Sequence, residues 1–193
     1  MSDEYLVLHA APTLAGLKTG NLFAVQREDL TADAEGTALL HAELERLNQF
    51  LVPKGLHAIS ARNKSGKQMI YLYRLQALAK DLAGSVAARI LSEKGYPVGD
   101  TEACILELLR RLAEEADFPH ELGLFLGYPP EDVLGFMEHP AEGVKCVGIW
   151  KVYGDRESAE QTFRKFRRCT DIYREEVRRG RSISRLTVRT LAG

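Results

Sequence analysis

The chain has 193 residues, 45% hydrophobic and 27% charged, with 26 Lys and Arg against 27 Asp and Glu for a formal net charge of −1. These proportions suit a soluble globular chain long enough to bury a core, and the balanced charge argues against a global pull towards nucleic acid or an anionic membrane. Three cysteines, an odd number without close spacing, argue against a disulfide scaffold and for a reducing cytoplasm.

No apolar run approaches the roughly 20 residues a membrane span needs. The opening MSDEYLVLHAAPTLAG lacks the basic and apolar regions of a secretion signal, so a cytoplasmic protein is expected. Asp3 to Ala11 reads as a short helix ended by Pro12, and Asn21 to Val25 as a short strand. Arg27 to Gly36 is polar and acidic, the composition of an exposed loop. Leu40, Leu44, Leu47 and Leu51 fall at helical spacing and predict an amphipathic helix over Thr37–Val52, stopped by Pro53-Lys54-Gly55. Leu56–Arg62 and Gln68–Arg74 predict a hairpin about the turn residues Asn63 to Lys67. Leu75 to Lys94 reads as one helix, with Leu78, Leu82, Val86 and Ile90 inward and Gly95 as its stop. A further helix starts at Asp100 or Thr101 and runs to about Ala116.

Phe118 to Asp155 holds the only Trp and the densest turn signals. Leu122 to Leu126 reads as a short buried strand, bounded by Gly127 and two prolines. Tyr128-Pro129-Pro130-Glu131-Asp132 opens a short helix that His139-Pro140 ends, since Pro fits the first turn and acids suit the positive helix end. Lys145 to Tyr153 carries apolar residues on both sides, the mark of a central strand. Arg156 to Arg179 is a long helix with the stripe Ala159, Phe163, Phe166, Thr170, Tyr173, Val177, and Ile183 to Val188 a final short strand or extended tail. The alternation predicts a single α/β domain over residues 1–193, with a mixed sheet, a central hairpin and helices packed on it.

FPHELGLFLGYPPEDVLGF (118–136), KCVGIWKVYGD (145–155), RRCTDIY (167–173) and APTLAGLKTGNLF (11–23) resemble the signature blocks of an uncharacterised bacterial family, a domain of unknown function. The resemblance spans nearly the whole chain and implies one bacterial, cytosolic, full-length domain, with no established activity to carry over. Members often have Cys before the Ala-Pro-Thr, where this chain has Ala10. If that Cys belonged to a metal or redox centre in the family, it is lost here.

Several residues are candidates for chemistry. His120 beside Glu121 suits acid–base work, because imidazole titrates near neutrality; the blander reading is a cap on the preceding helix. Cys146 and Cys169 with His9 and His120 are the residue types of a metal site, but their spacing is not that of a finger, ribbon or zincin. Buried cysteines otherwise pack as small apolar residues. Lys18, Thr19 and Asn21 sit in a glycine-bounded loop that could hold an anion through backbone N–H groups, although no phosphate-loop motif is present. Gly127–Asp132 and Tyr153–Ser158 are two further junctions into helices, the second carrying Lys151, Tyr153, Arg156 and Ser158; capping alone also accounts for them. Tyr128 and Trp150 are aromatic surfaces for a stacked ligand, or simply core.

From Arg164 to Arg189 the chain is rich in Arg, a face for phosphates or a solvated helix surface with ion pairs four residues apart. The function these features favour is binding of a small anionic or nucleotide-like ligand, with catalysis open. Nucleic-acid or acidic-partner binding by the Arg-rich helix is the first alternative, and a Cys/His metal or redox protein the second. No motif names a cofactor.

Overall fold

A three-stranded sheet divides the helices into two layers. The computed structural model describes residues 1–25, 34–114 and 117–190. Strands β1 (Gly20–Ala24), β2 (Leu56–Arg62) and β3 (Gln68–Arg74) lie in the order β1-β3-β2. Both pairings are antiparallel, with Leu22 opposite Tyr71 and Ile59 opposite Tyr71. The chain is thus α/β with the hairpin as expected, but the sheet is antiparallel throughout rather than mixed. Among the described residues no parallel crossover forms, because the apolar segments expected to supply later strands fold otherwise.

Alternation along β2 and β3 builds two cores. Leu56, Ala58, Ile70 and Leu72 face helices α1 (Asp3–Leu14) and α2 (Ala34–Leu51), meeting Leu6, Leu14, Leu40 and Leu51. Tyr71 and Tyr73 face the other way, towards α3 (Leu75–Ala83), α4 (Ser85–Glu93) and α5 (Thr101–Glu114), where Leu78, Ile90 and Leu108 are buried. Strand β2 is an edge, and Asn48 of α2 covers it: its amide donates to the Ala58 carbonyl at 2.8 Å and accepts from the Ala58 N–H at 2.9 Å.

Several expectations are corrected. Helix α1 continues past Pro12 to Leu14. The ring's missing N–H forfeits only the bond to the Leu8 carbonyl, on the helix's exposed side. The expected loop from Arg27 lies largely outside the described residues, and Ala34–Gly36 open α2. The expected 75–94 helix is broken at Gly84, whose ψ of 138° is extended. The helix expected to reach Ala116 is α5, described to Glu114, beyond which residues 115–116 are not described. Ile183–Leu186 is a helical turn, α9, rather than a strand.

The two largest differences fall in the central stretch. Leu122–Phe125 is a helical turn, α6, in which Leu122 N–H donates to the Pro119 carbonyl and Leu124 N–H to that of Glu121. Every residue from Leu122 to Phe125 is buried, and a segment apolar all round has no period that separates strand from helix. Lys145–Tyr153 is not a central strand but a hairpin of two short strands, β4 (Cys146–Val147) and β5 (Lys151–Val152), closed by Gly148 N–H to the Trp150 carbonyl at 3.0 Å. Its two apolar sides serve different neighbours: Val152 packs with Ala159 and Phe163 of α8 (Arg156–Arg178), while Val147 and Ile149 are exposed.

Candidate functional site

Helix α7 (Pro130–Glu138) carries the residue that positions the site. Asp132 is buried, and its carboxylate accepts three hydrogen bonds of 2.7 Å: Trp150 Nε1–H at one oxygen, and the Tyr153 and Gly154 N–H groups at the other. It pins the β4–β5 hairpin to α7. Trp150 then stacks on Tyr128, with centroids 4.7 Å apart, and meets Phe163 of α8 edge-on at 4.5 Å. Gly148 admits the Phe163 ring, since a Cβ there would lie 2.2 Å from its Cε2.

Three junctions meet around this anchor. The loop after α1 is held where the Pro12 carbonyl accepts from the Leu17 and Lys18 N–H groups. Thr19 touches Gly127, where an added Cβ would lie 2.7 Å from Thr19 Oγ1, and its hydroxyl donates to Asp81. Gly154 abuts Glu131, whose Cγ would lie 2.7 Å from an added Cβ. A cavity of about 280 Å³ opens between them, lined by Lys18, Thr19, Asp81, Glu131, Asp132, Asp155 and Ser158 among others. Its lining holds four carboxylates and one lysine, a balance that disfavours an anion.

The larger hollow beside it, about 370 Å³, is apolar. Its walls include Phe118, Leu122, Leu126, Tyr128, Val133, Phe136 and Trp150, with Asp132 among them, and His120 and Lys151 are its basic members. The His120 ring stands edge-on to Phe136 at 4.9 Å, and Lys151 Nζ lies 5.2 Å from the same ring while donating to the Pro140 carbonyl at 2.8 Å. Burial pushes the Tyr128 hydroxyl up from its ordinary value, so it is a neutral donor near pH 7.

The sequence candidates therefore disperse. His120, Tyr128 and Lys151 share the apolar cavity. Lys18 and Asn21 line a third hollow, against α1 and α8, and Lys18 with Thr19 lines the acidic one. Tyr153 packs its ring on Gly135 and donates its N–H to Asp132. Arg156 is exposed and pairs with Glu160 at 2.7 Å. Neither Tyr153 nor Arg156 lines these cavities. Glu121 does not work with His120: it is buried, accepts from the Tyr96 hydroxyl at 2.9 Å, and lies 3.5 Å from Arg111. Asp132 is the residue that sequence reasoning missed; an acid in the first helical turn reads as a dipole partner, and nothing local shows it facing a hairpin 18 residues on.

Cys146 belongs to the hairpin, while Cys169 is buried against the α1–α2 layer, where burial raises its thiol to about 11. Among the described residues no group of three or more His, Cys, Asp or Glu is placed to hold a metal ion. Nor is any described helix long and apolar enough to cross a membrane.

Fold and site together define an α/β protein with side-chain-lined hollows grouped around one hairpin. The chain belongs to the family described as protein of unknown function (DUF3793), whose model matches residues 6–187. No curated protein and no solved structure matches it.

Proposed function

We propose that this protein binds a small anionic ligand with an apolar body in the cavity of about 370 Å³. The body lies against Phe136 and the Tyr128–Trp150 stack, and its charged end meets Lys151 and His120. The observation that carries this is the Phe136 ring, which has His120 at 4.9 Å and Lys151 Nζ at 5.2 Å. Two basic side chains thus share one wall of a mainly apolar hollow of ligand size, whose one carboxylate, Asp132, is already taken by three donors.

Trp150 is the only tryptophan, so its emission reports on this cavity directly. Aryl and branched-chain carboxylates, titrated beside their uncharged amides, are expected to change that emission saturably. Lys151→Met weakens the carboxylates roughly tenfold and spares the amides. No saturable change across the panel, or equal weakening of acids and amides, sinks the proposal.

A second binding mode is supported on α8. Arg164, Arg167, Arg168, Arg174 and Arg178 make no ion pair among the described residues, whereas Arg156, Arg179 and Arg181 are paired. At helical spacing those five fall on one strip, with Asp171 and Glu175 between them, which suits a polyanion. Anisotropy of a labelled single-stranded oligonucleotide tests it: binding that falls steeply with salt supports this mode, and no binding at low salt removes it.

A further inference from the structure

Lys18 is a lysine that the proposed ligand does not use. It is buried, with 8% of its surface exposed, yet among the described residues its ammonium has neither a hydrogen bond nor an ion pair; its one recorded partner is the Tyr128 ring, 5.2 Å away. Asp81, Glu131, Asp132 and Asp155 line the acidic hollow on its other side, and none of them pairs with the ammonium. The side chain borders the third hollow, about 300 Å³, between the loop after α1 and the middle of α8.

Two other donors line that hollow. Asn21 Oδ1 accepts from the Thr13 hydroxyl at 2.7 Å, which leaves the Asn21 amide N–H groups as donors with no recorded partner. Arg167 lines the hollow from α8 and has one recorded hydrogen bond, Nε–H to the Phe163 carbonyl at 3.4 Å. The opposing charge is Asp171, one helical turn on, which no recorded ion pair joins to Arg167. His9 completes the polar lining; its ring is stacked on Phe23 at 5.2 Å, and burial lowers its pKa, so it adds no charge near neutrality.

We propose that Lys18, Asn21 and Arg167 form a site for a small oxyanion, a phosphate or a carboxylate, separate from the apolar cavity. Three donors from three elements line that hollow, and the anion gives the Lys18 ammonium the direct partner that no carboxylate provides. Ile149 at the hairpin tip borders both hollows, so the two sites share a wall but no basic residue.

The test is thermal unfolding of the full chain in sodium phosphate or sodium malonate, at constant ionic strength held with sodium chloride. The midpoint is expected to rise with at least one oxyanion beyond the chloride control. Lys18→Met abolishes that response; its own cooperative unfolding transition in chloride shows that the variant is folded, so a null response is not a folding failure. Arg167→Gln raises the concentration needed roughly tenfold, and Asp171→Asn lowers it. A wild-type response no larger than chloride gives, or a Lys18→Met response equal to wild type, overturns the site. Neither outcome bears on the Trp150 titration, so the two sites succeed or fail separately.

Discussion

Asp132 Oδ2 accepts the Trp150 indole N–H at 2.7 Å, and through that bond a helix start holds a hairpin 18 residues further along. The other carboxylate oxygen takes two backbone N–H groups of the same hairpin. Side-chain geometry in the apolar cavity depends on this one carboxylate, although no ligand need touch it.

Asp132→Ala leaves three donors without their acceptor. With each buried, unsatisfied group costing about 1–3 kcal/mol and water recovering part, the loss is about 3 kcal/mol. Urea unfolding measures it, and Trp150 emission in the folded state shifts to the red as the indole leaves its stack. Unchanged emission and stability would show that the hairpin is held by packing alone.

Gly148→Ala tests the hairpin from its other side. An added methyl would sit 2.2 Å from Phe163 Cε2 and 2.3 Å from Cδ2, inside the ring's contact surface. The hairpin must lift from α8, at about 1–3 kcal/mol. Binding of aryl carboxylates weakens with it, whereas the phosphate response through Lys18, Asn21 and Arg167 is retained.

Lys18 imposes a pH dependence of known sign. Burial lowers its pKa from 10.5 to about 8. Below pH 8 folded and unfolded states are both protonated and the full burial cost is present. From pH 8 to 10.5 the folded state releases its proton first, so stability rises with pH, and above 10.5 the cost is gone. Lys18→Met is therefore expected to exceed wild type by about 3 kcal/mol below pH 8 in chloride buffer, with the gap closing at higher pH. Asp81, Glu131, Asp132 and Asp155 on one side and His9, Arg167 and Asp171 on the other are common to both chains. A gap that is flat with pH would show that Lys18 is already neutralised.

Arg74 ties the C-terminal tail to the sheet. Its guanidinium donates to the Thr13, Leu14 and Val188 carbonyls and the Thr190 hydroxyl, at 2.7 to 2.8 Å, so the cation also sits at the negative end of α1. Arg74→Met removes four hydrogen bonds to a charged group; the Thr13 and Leu14 carbonyls keep their Gly16 and Val188 N–H donors, so the cost is about 3 kcal/mol. Amide exchange at Val188 and Thr190, whose N–H groups bond Leu14 and Lys54, accelerates before the sheet amides do.

Leu40, Leu44, Leu47 and Leu51 of α2, the alternation in Met69 to Tyr73, and the aromatic spacing of α8 were enough to locate the main helices and the hairpin, because a partly exposed element must repeat its apolar residues at its own period. That signal vanishes where an element is buried on all sides, as in Leu122–Phe125, or is too short to show a period, as in Cys146–Val152. Residue types at the sites were visible in the same way: His120, Tyr128 and Lys151 stood out by chemistry, as did Lys18 and Asn21. Which of them share a cavity was decided only by folding. Asp132 draws the hairpin onto α7, Glu121 turns away from its neighbour His120 to meet Tyr96 and Arg111, and Gly127 and Gly154 let three distant junctions touch. Those are contacts between residues far apart in the chain, set by packing and hydrogen-bond satisfaction in three dimensions, and no local pattern encodes them.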